Sequence, residues 1–142
     1  MVDVAAKEIT QRTATAAGLL RTSSEVIELL RGGGVPKGDA LAVARIAAIA
    51  GTKRTADLIP LCHPLRLDGV DVVLDVTDEG VAITVTCRAT DRTGVEMEAL
   101  TGVAVAGLAL HDMVKAVDPA AVLTDVRLMT KTGGRSGDWS RE

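Results

Sequence analysis

The sequence predicts an α+β domain in which helices cover one face of a mostly antiparallel sheet. Three observations carry this expectation. Two apolar runs of period two are joined by a short polar stretch, as in a hairpin. Three segments with helical caps or helical composition interleave with the strand-like runs. Hydrophobic residues make up 47% of the 142 positions, enough for a core in a length that suits one domain over residues 1–142.

The elements follow in chain order. Arg12 to Arg21 alternates threonine with alanine and reads as a weak strand ending at Thr22-Ser23-Ser24. Ser23 or Ser24 can cap a short amphipathic helix, Glu25 to Arg31, stopped by Gly32-Gly33-Gly34. Asp39 caps an alanine-rich helix from Ala40 to about Lys53. Pro60 and Pro64 bracket Leu61-Cys62-His63 in a stiff, non-helical connection. Val70 to Val76 and Val81 to Cys87 form the hairpin, with Thr77 to Gly80 between them. Glu96 to about Val117 reads as one long helix, acidic at its start and carrying Lys115 near its end, as the helix dipole favours. Val122 to Met129 is a last short strand, and Lys131 to Asp138 is a glycine-rich tail. The order strand, helix, helix, two strands, helix, strand is close to the ferredoxin-like arrangement.

Composition narrows the function classes. There is no Phe or Tyr, and Trp139 is the only aromatic, so Ala, Val, Leu and Ile must fill the core. So few large side chains leave a thin stability margin, and burial against other subunits is expected to widen it. The formal net charge of −3 and the missing aromatic platforms argue against nucleic-acid binding. The longest apolar run, Ala99 to Leu110, is short of the ~20 residues a membrane helix needs. Charged residues Asp3, Lys7, Glu8 and Arg12 stand where a signal peptide would be apolar. Cys62 and Cys87 form no CxxC, so a soluble protein in a reducing cytoplasm is expected.

Several residues could carry chemistry. Lys37 lies just ahead of a helix N-terminus, where phosphate is attracted, although a plain surface lysine fits as well. His63 is suited to proton transfer near neutral pH or to a structural hydrogen bond. Neighbours in an extended segment point oppositely, so Cys62 and His63 are not expected to act as a catalytic pair. Asp112 and Lys115, at i and i+3, share a helix face as a catalytic pair or a solvated one. Glu96 and Glu98 complement the dipole or line a pocket. The segment Lys131-Thr132-Gly133-Gly134-Arg135-Ser136-Gly137 has the backbone freedom and charge of a phosphate nest, or of a mobile tail. Glu98 and Asp112 lie fourteen residues apart on one helix, hence ~21 Å. If both are catalytic, a long ligand spans them or two subunits combine at each site.

Taken together, the fragments are more specific. Met1-Val2-Asp3-Val4, Lys37-Gly38-Asp39, Ala44-Arg45-Ile46-Ala47, Leu58-Ile59-Pro60-Leu61-Cys62-His63-Pro64, Gly94-Val95-Glu96-Met97-Glu98-Ala99-Leu100-Thr101, Asp112-Met113 with Lys115-Ala116-Val117, and Lys131-Thr132-Gly133-Gly134 occur in this order. The chain resembles, over essentially its whole length, the MoaC family of molybdenum cofactor biosynthesis, the cyclic pyranopterin monophosphate synthases.

The resemblance implies an enzyme that takes a cyclic dihydro-GTP triphosphate, made by a radical S-adenosylmethionine GTP cyclase. It rebuilds this into cyclic pyranopterin monophosphate and releases pyrophosphate. It also implies a homo-hexamer, a trimer of dimers with sites at subunit interfaces. Carried over residue by residue, Lys37, His63, Asp112, Lys115 and Lys131 match catalytic positions. Arg12, Leu61, Cys62, Glu96, Met97 and Glu98, with His63, match substrate-binding ones. No metal site and no resident cofactor are expected, and a divalent cation accompanying the triphosphate stays open. The chain departs from the family pattern at His111, Val114 and Arg135, where Tyr, Cys and Lys are frequent. Two other classes fit the same residues in principle: a nucleotide-sensing oligomer that only binds phosphate, and a metal-binding protein using Cys62, His63 and carboxylates.

Overall fold

The computed structural model describes residues 1–142. Its elements are β1 (Thr10–Arg21), α1 (Ser24–Arg31), α2 (Ala40–Thr52), α3 (Thr55–Leu58), β2 (Gly69–Val76), β3 (Gly80–Asp91), α4 (Glu96–Val114), β4 (Val122–Thr132) and β5 (Trp139–Ser140). The sheet has the order β2-β3-β1-β4-β5 and every neighbouring pair is antiparallel. The strands paired in β2-β3-β1-β4 give the ferredoxin-like arrangement expected from the sequence, and α2 and α4 pack together on one face of it.

Period-two patterning sets that face. Along β1, Ala14, Ala16, Gly18 and Leu20 are buried, while Thr13 and Thr15 point away from the helices. Thr15 meets Thr86 of β3 on the open face, hydroxyl to hydroxyl at 2.8 Å. On the covered face, Val81, Ile83, Val85 and Cys87 of β3 meet Val103, Ala106 and Leu110 of α4 in one core.

Small residues replace the missing aromatics by letting backbones approach. A Cβ at Gly18 would lie 2.7 Å from Val103 Cγ1, and one at Gly102 would lie 2.8 Å from Thr52 Cγ2 and 2.9 Å from Val85 Cγ1. Helix α4 is thus pressed onto β1, β3 and α2 with the side chain of only one partner at each of these contacts. By length and apolar composition α4 is long enough to cross a membrane, yet its glycines and alanines hold it inside this core.

The caps are as expected. Ser23 Oγ accepts from Val26 N at 3.3 Å, and Asp39 Oδ1 accepts from Ala42 N at 3.0 Å. Other boundaries differ from the sequence-based expectation. Helix α4 ends at Val114, not Val117, because Asp118 leaves the helix to serve the start of α1. Its carboxylate accepts from the Thr22 hydroxyl at 2.7 Å and Ser23 N at 2.9 Å. Strand β4 runs on through Lys131, and the tail folds back as β5. Gly133 N donates to Asp138 Oδ1 at 3.0 Å, and Gly137 N to Gly134 O at 3.2 Å. The glycine-rich segment is therefore a hairpin connection and not a loose tail.

Candidate active site

The expected residues assemble in two groups, one at each end of α4. At the C-terminal end the loop between α1 and α2 presents Lys37. Val35 is buried there, and Val35 and Gly38 exchange backbone hydrogen bonds of 3.2 and 2.9 Å in a tight turn. Gly38 has a φ of 127°, which an L side chain would strain, so glycine lets Lys37 stand at the tip. The loop rests on the last turn of α4, and Lys37 Nζ pairs with Asp112 Oδ2. Lys115 Nζ donates to Asp112 Oδ1 at 2.7 Å from the same helix.

Asp112 thus lies between two ammonium groups. The hydrogen bond from Lys115, then that from Lys37, hold its carboxyl down to about 2. Lys37 stands just ahead of the N-terminus of α2, as its sequence position indicated. It is one arm of a Lys–Asp–Lys cluster.

At the N-terminal end of α4, Leu61, Cys62 and His63 border a cavity of about 440 Å³ together with Glu96, Met97 and Glu98. The two prolines hold the segment irregular, outside any strand. The alternation that would send Cys62 and His63 to opposite faces does not apply, and both reach the same cavity. The His63 side chain stands on the wall of this cavity.

Glu98 is 5% exposed. Burial, then the charge of Glu96, pushes its carboxyl up from the ordinary range. Burial likewise raises both thiols, Cys87 to about 12, so neither is a thiolate near neutrality. No group of three or more His, Cys, Asp or Glu side chains gathers as a metal-ligand set within the chain.

Lys131 sits beside this cavity. Its ammonium donates to Ser136 Oγ at 2.8 Å and lies 3.6 Å from Glu96 Oε1. Ser136 lines a second cavity of about 650 Å³, together with Lys7, Thr10, Arg12 and Arg135. Arg12 Nη2 donates to Arg92 O at 3.2 Å. The Nε groups of Arg12 and Arg92 and the Thr10 hydroxyl are buried and find no partner within the chain. Such donors can be satisfied by water or by an anion.

Sequence reading missed Lys7, Thr10 and Arg92. Arg92 carried a usable signal, since it immediately precedes the Thr93-Gly94 entry to the GVEMEALT motif.

One chain does not unite the two groups. The rise of α4 separates Glu98 from Asp112 by ~21 Å. Nothing else brings Lys37, Asp112 and Lys115 to His63 and Lys131 within the subunit.

Comparison with known proteins fits this inventory. The model of the MoaC family matches residues 1–134. A Streptomyces coelicolor protein named cyclic pyranopterin monophosphate synthase is 65% identical over 141 residues, covering 99% of this chain and 83% of that one. A Nocardioides protein of the same name is 64% identical over 144 residues, covering 99% and 88%. Mycobacterium tuberculosis cyclic pyranopterin monophosphate synthase 2 is 60% identical over 141 residues, covering 99% and 84%. With the motif residues in their expected order and one family model spanning nearly every position, the chain belongs to the MoaC family.

Proposed function

We infer that this protein is a cyclic pyranopterin monophosphate synthase of molybdenum cofactor biosynthesis. It converts a cyclic dihydro-GTP triphosphate to cyclic pyranopterin monophosphate and releases pyrophosphate. The observation that carries the reading is the identity of 60–65% to synthases along nearly the whole chain. A purely nucleotide-sensing oligomer leaves that kinship unexplained.

Each group then has a chemical role. Lys131 and the half-buried Arg12 and Arg92 supply positive charge where the triphosphate lies and where pyrophosphate departs. His63 and Glu98 serve the ring, whose rebuilding moves protons on and off nitrogen and oxygen. The two carboxyls Glu98 and Asp112 are pushed in opposite directions, which divides their work. Glu98 is suited to hold and deliver a proton. Asp112, at about 2, is too weak a base to take one efficiently near neutrality. It orients Lys37 and Lys115 as paired cations. Leu61, Cys62 and Met97 shape the walls around these groups.

The separation of the two groups favours sites shared between subunits, as in a hexamer built as a trimer of dimers. Ile46 and Leu108, 67% and 66% exposed on the outer faces of α2 and α4, are apolar surface such contacts would cover. A radical S-adenosylmethionine GTP cyclase is the class of enzyme that would supply the substrate. A cytoplasmic setting fits a biosynthetic role and two unpaired cysteines.

The deciding experiment is a coupled assay with freshly made cyclic dihydro-GTP, reading pyranopterin product and pyrophosphate, with Lys37→Ala as control. Product from wild type and its loss in the variant is the expected result. A folded oligomer that binds the intermediate without turning it over would overturn the synthase reading in favour of nucleotide sensing.

A further inference from the structure

Lys131 is held by a strap that the chain builds from its own C-terminal residues. After β4 the chain turns back as β5, where Trp139 pairs with Lys131 and Ser140 with Thr130. Arg141 extends the contact, its N donating to Met129 O at 2.8 Å and its Nε to Leu128 O at 2.7 Å. The Arg141 guanidinium also lies over the Trp139 ring, 5.5 Å from its centroid. The returning strand is thus fastened along β4 from Leu128 to Lys131.

The loop inside this strap has little means of fixing its own shape. Gly133, Gly134 and Gly137 have φ of 88°, 80° and 69°, and glycine backbones are the freest in a chain. The loop also lies tight on β1, because a Cβ at Gly133 would run into Gln11 O and one at Gly134 into Arg12 Nη1. The turn therefore has no side chain of its own to pack there, and hydrogen bonds must order it. Gly137 N donates to Gly134 O at 3.2 Å within the loop. Asp138 Oδ1 accepts from Gly133 N at 3.0 Å and closes the loop end to end.

What the loop carries is Ser136, whose Oγ accepts from Lys131 Nζ at 2.8 Å. The other neighbour of that ammonium, Glu96 Oε1, is farther off at 3.6 Å. A lysine head rides on a flexible four-carbon stem, so its place depends on such partners. Asp138 itself is exposed and borders neither of the two cavities described above. Its work is done through the loop.

We propose that Asp138 is a positioning residue for Lys131: by closing the 133–138 loop it holds Ser136 against the ammonium and fixes where that charge stands. This rests on the synthase reading given above, in which Lys131 supplies charge to the departing pyrophosphate. The Asp138 carboxylate serves here as a hydrogen-bond acceptor and not as a charge, so an amide oxygen can take its place.

The test compares Asp138→Ala with Asp138→Asn in the full-length assembled protein, each with and without Lys131→Ala. Asp138 is exposed and outside every helix and strand, so circular dichroism and sedimentation should match wild type. The first readout is the rate at which acetic anhydride acetylates the Lys131 amine, resolved by mass spectrometry with the exposed Lys53 as reference. The second is turnover of cyclic dihydro-GTP. Lys131 should acetylate ~5-fold faster in Asp138→Ala, the scale of one lost hydrogen bond. Its kcat should fall by ~10- to 100-fold, the scale of a misplacement of about 1 Å. Asp138→Asn should stay near wild type in both. In the Lys131→Ala background, Asp138→Ala should cost no further turnover, since its effect runs through an ammonium already removed.

An Asp138→Ala protein whose Lys131 acetylates at the wild-type rate would overturn the proposal. So would an equal loss of turnover with and without the Lys131 ammonium, which a merely structural role predicts. An Asp138→Asn protein as impaired as the Ala one would overturn it too. Because acetylation needs no turnover, wild type that forms no pyranopterin would sink the synthase reading while the hold of Asp138 on Lys131 is still decided.

Discussion

The Lys37 ammonium is bound to the Asp112 carboxylate, although 75 residues separate them in the chain. The contact exists because the glycine-shaped turn after α1 lands on the final turn of α4. Lys115 then closes on the second carboxylate oxygen. This pairing predicts an acid titration. Asp112 has its carboxyl depressed to about 2, so the stabilisation it lends the fold is full above the ordinary carboxylate value of ~3.9. It is lost as pH falls through about 2. Carboxyl NMR should find the midpoint near that value, and Lys115→Ala should move it upward. A midpoint at the ordinary value would mean the pair does not form in solution.

Sites shared between subunits make a second prediction. Asp112→Asn and His63→Ala disable opposite ends of α4, so each homo-oligomer should be inactive. Mixed oligomers formed by unfolding and refolding the two variants together should regain turnover, because some sites then combine two intact halves. No recovery in verified mixed oligomers would place each site within one subunit.

Glu98 predicts a stability profile of opposite sign. Its folded value is raised by burial, so the native state holds its proton more tightly than the unfolded chain. Stability should fall as pH rises from the unfolded carboxylate value of ~4.3 toward the raised folded value, and the penalty persists above it. Glu98→Gln removes the penalty. The variant should therefore melt higher than wild type near pH 8, with the difference shrinking near pH 4. It should also lose turnover, since an amide delivers no proton. Equal melting differences at both pH values would show that Glu98 is not held as the neutral acid.

Packing without aromatics predicts an intolerant glycine. A methyl at Gly102 would crowd Thr52 and Val85 at 2.8 and 2.9 Å. Gly102→Ala gains helix propensity of ~1 kcal/mol, whereas overpacking costs ~1–3 kcal/mol. The expected net effect is a lower melting temperature by calorimetry. An unchanged or raised value would mean that α4 can shift away from the sheet.

Much of the fold was legible in the residues, for local reasons. Asp39 and Ser23 announced their helices by side-chain oxygens that reach only three residues ahead. The hairpin followed from alternation along β2 and β3. The ends were harder to read. Strand β4 continues through Lys131 because β1 offers Ala14 as its partner, and β5 exists only by pairing Lys131 and Thr130 with Trp139 and Ser140. Such boundaries are set by a distant strand and leave no mark in the segment itself.

The same division runs through the site. The sequence by itself determined which chemical groups are present, the family they belong to, and, from the rise of one helix, that Glu98 and Asp112 stand too far apart for one small reacting centre. Only the tertiary structure decided the company each group keeps. It gave Lys37 to Asp112, put Cys62 and His63 on one cavity, and left Arg12 and Arg92 with buried unpartnered nitrogens. The reason is physical. Covalent spacing and helix geometry reach a few residues along the chain, whereas charge pairing and desolvation depend on what folding brings within a few ångströms.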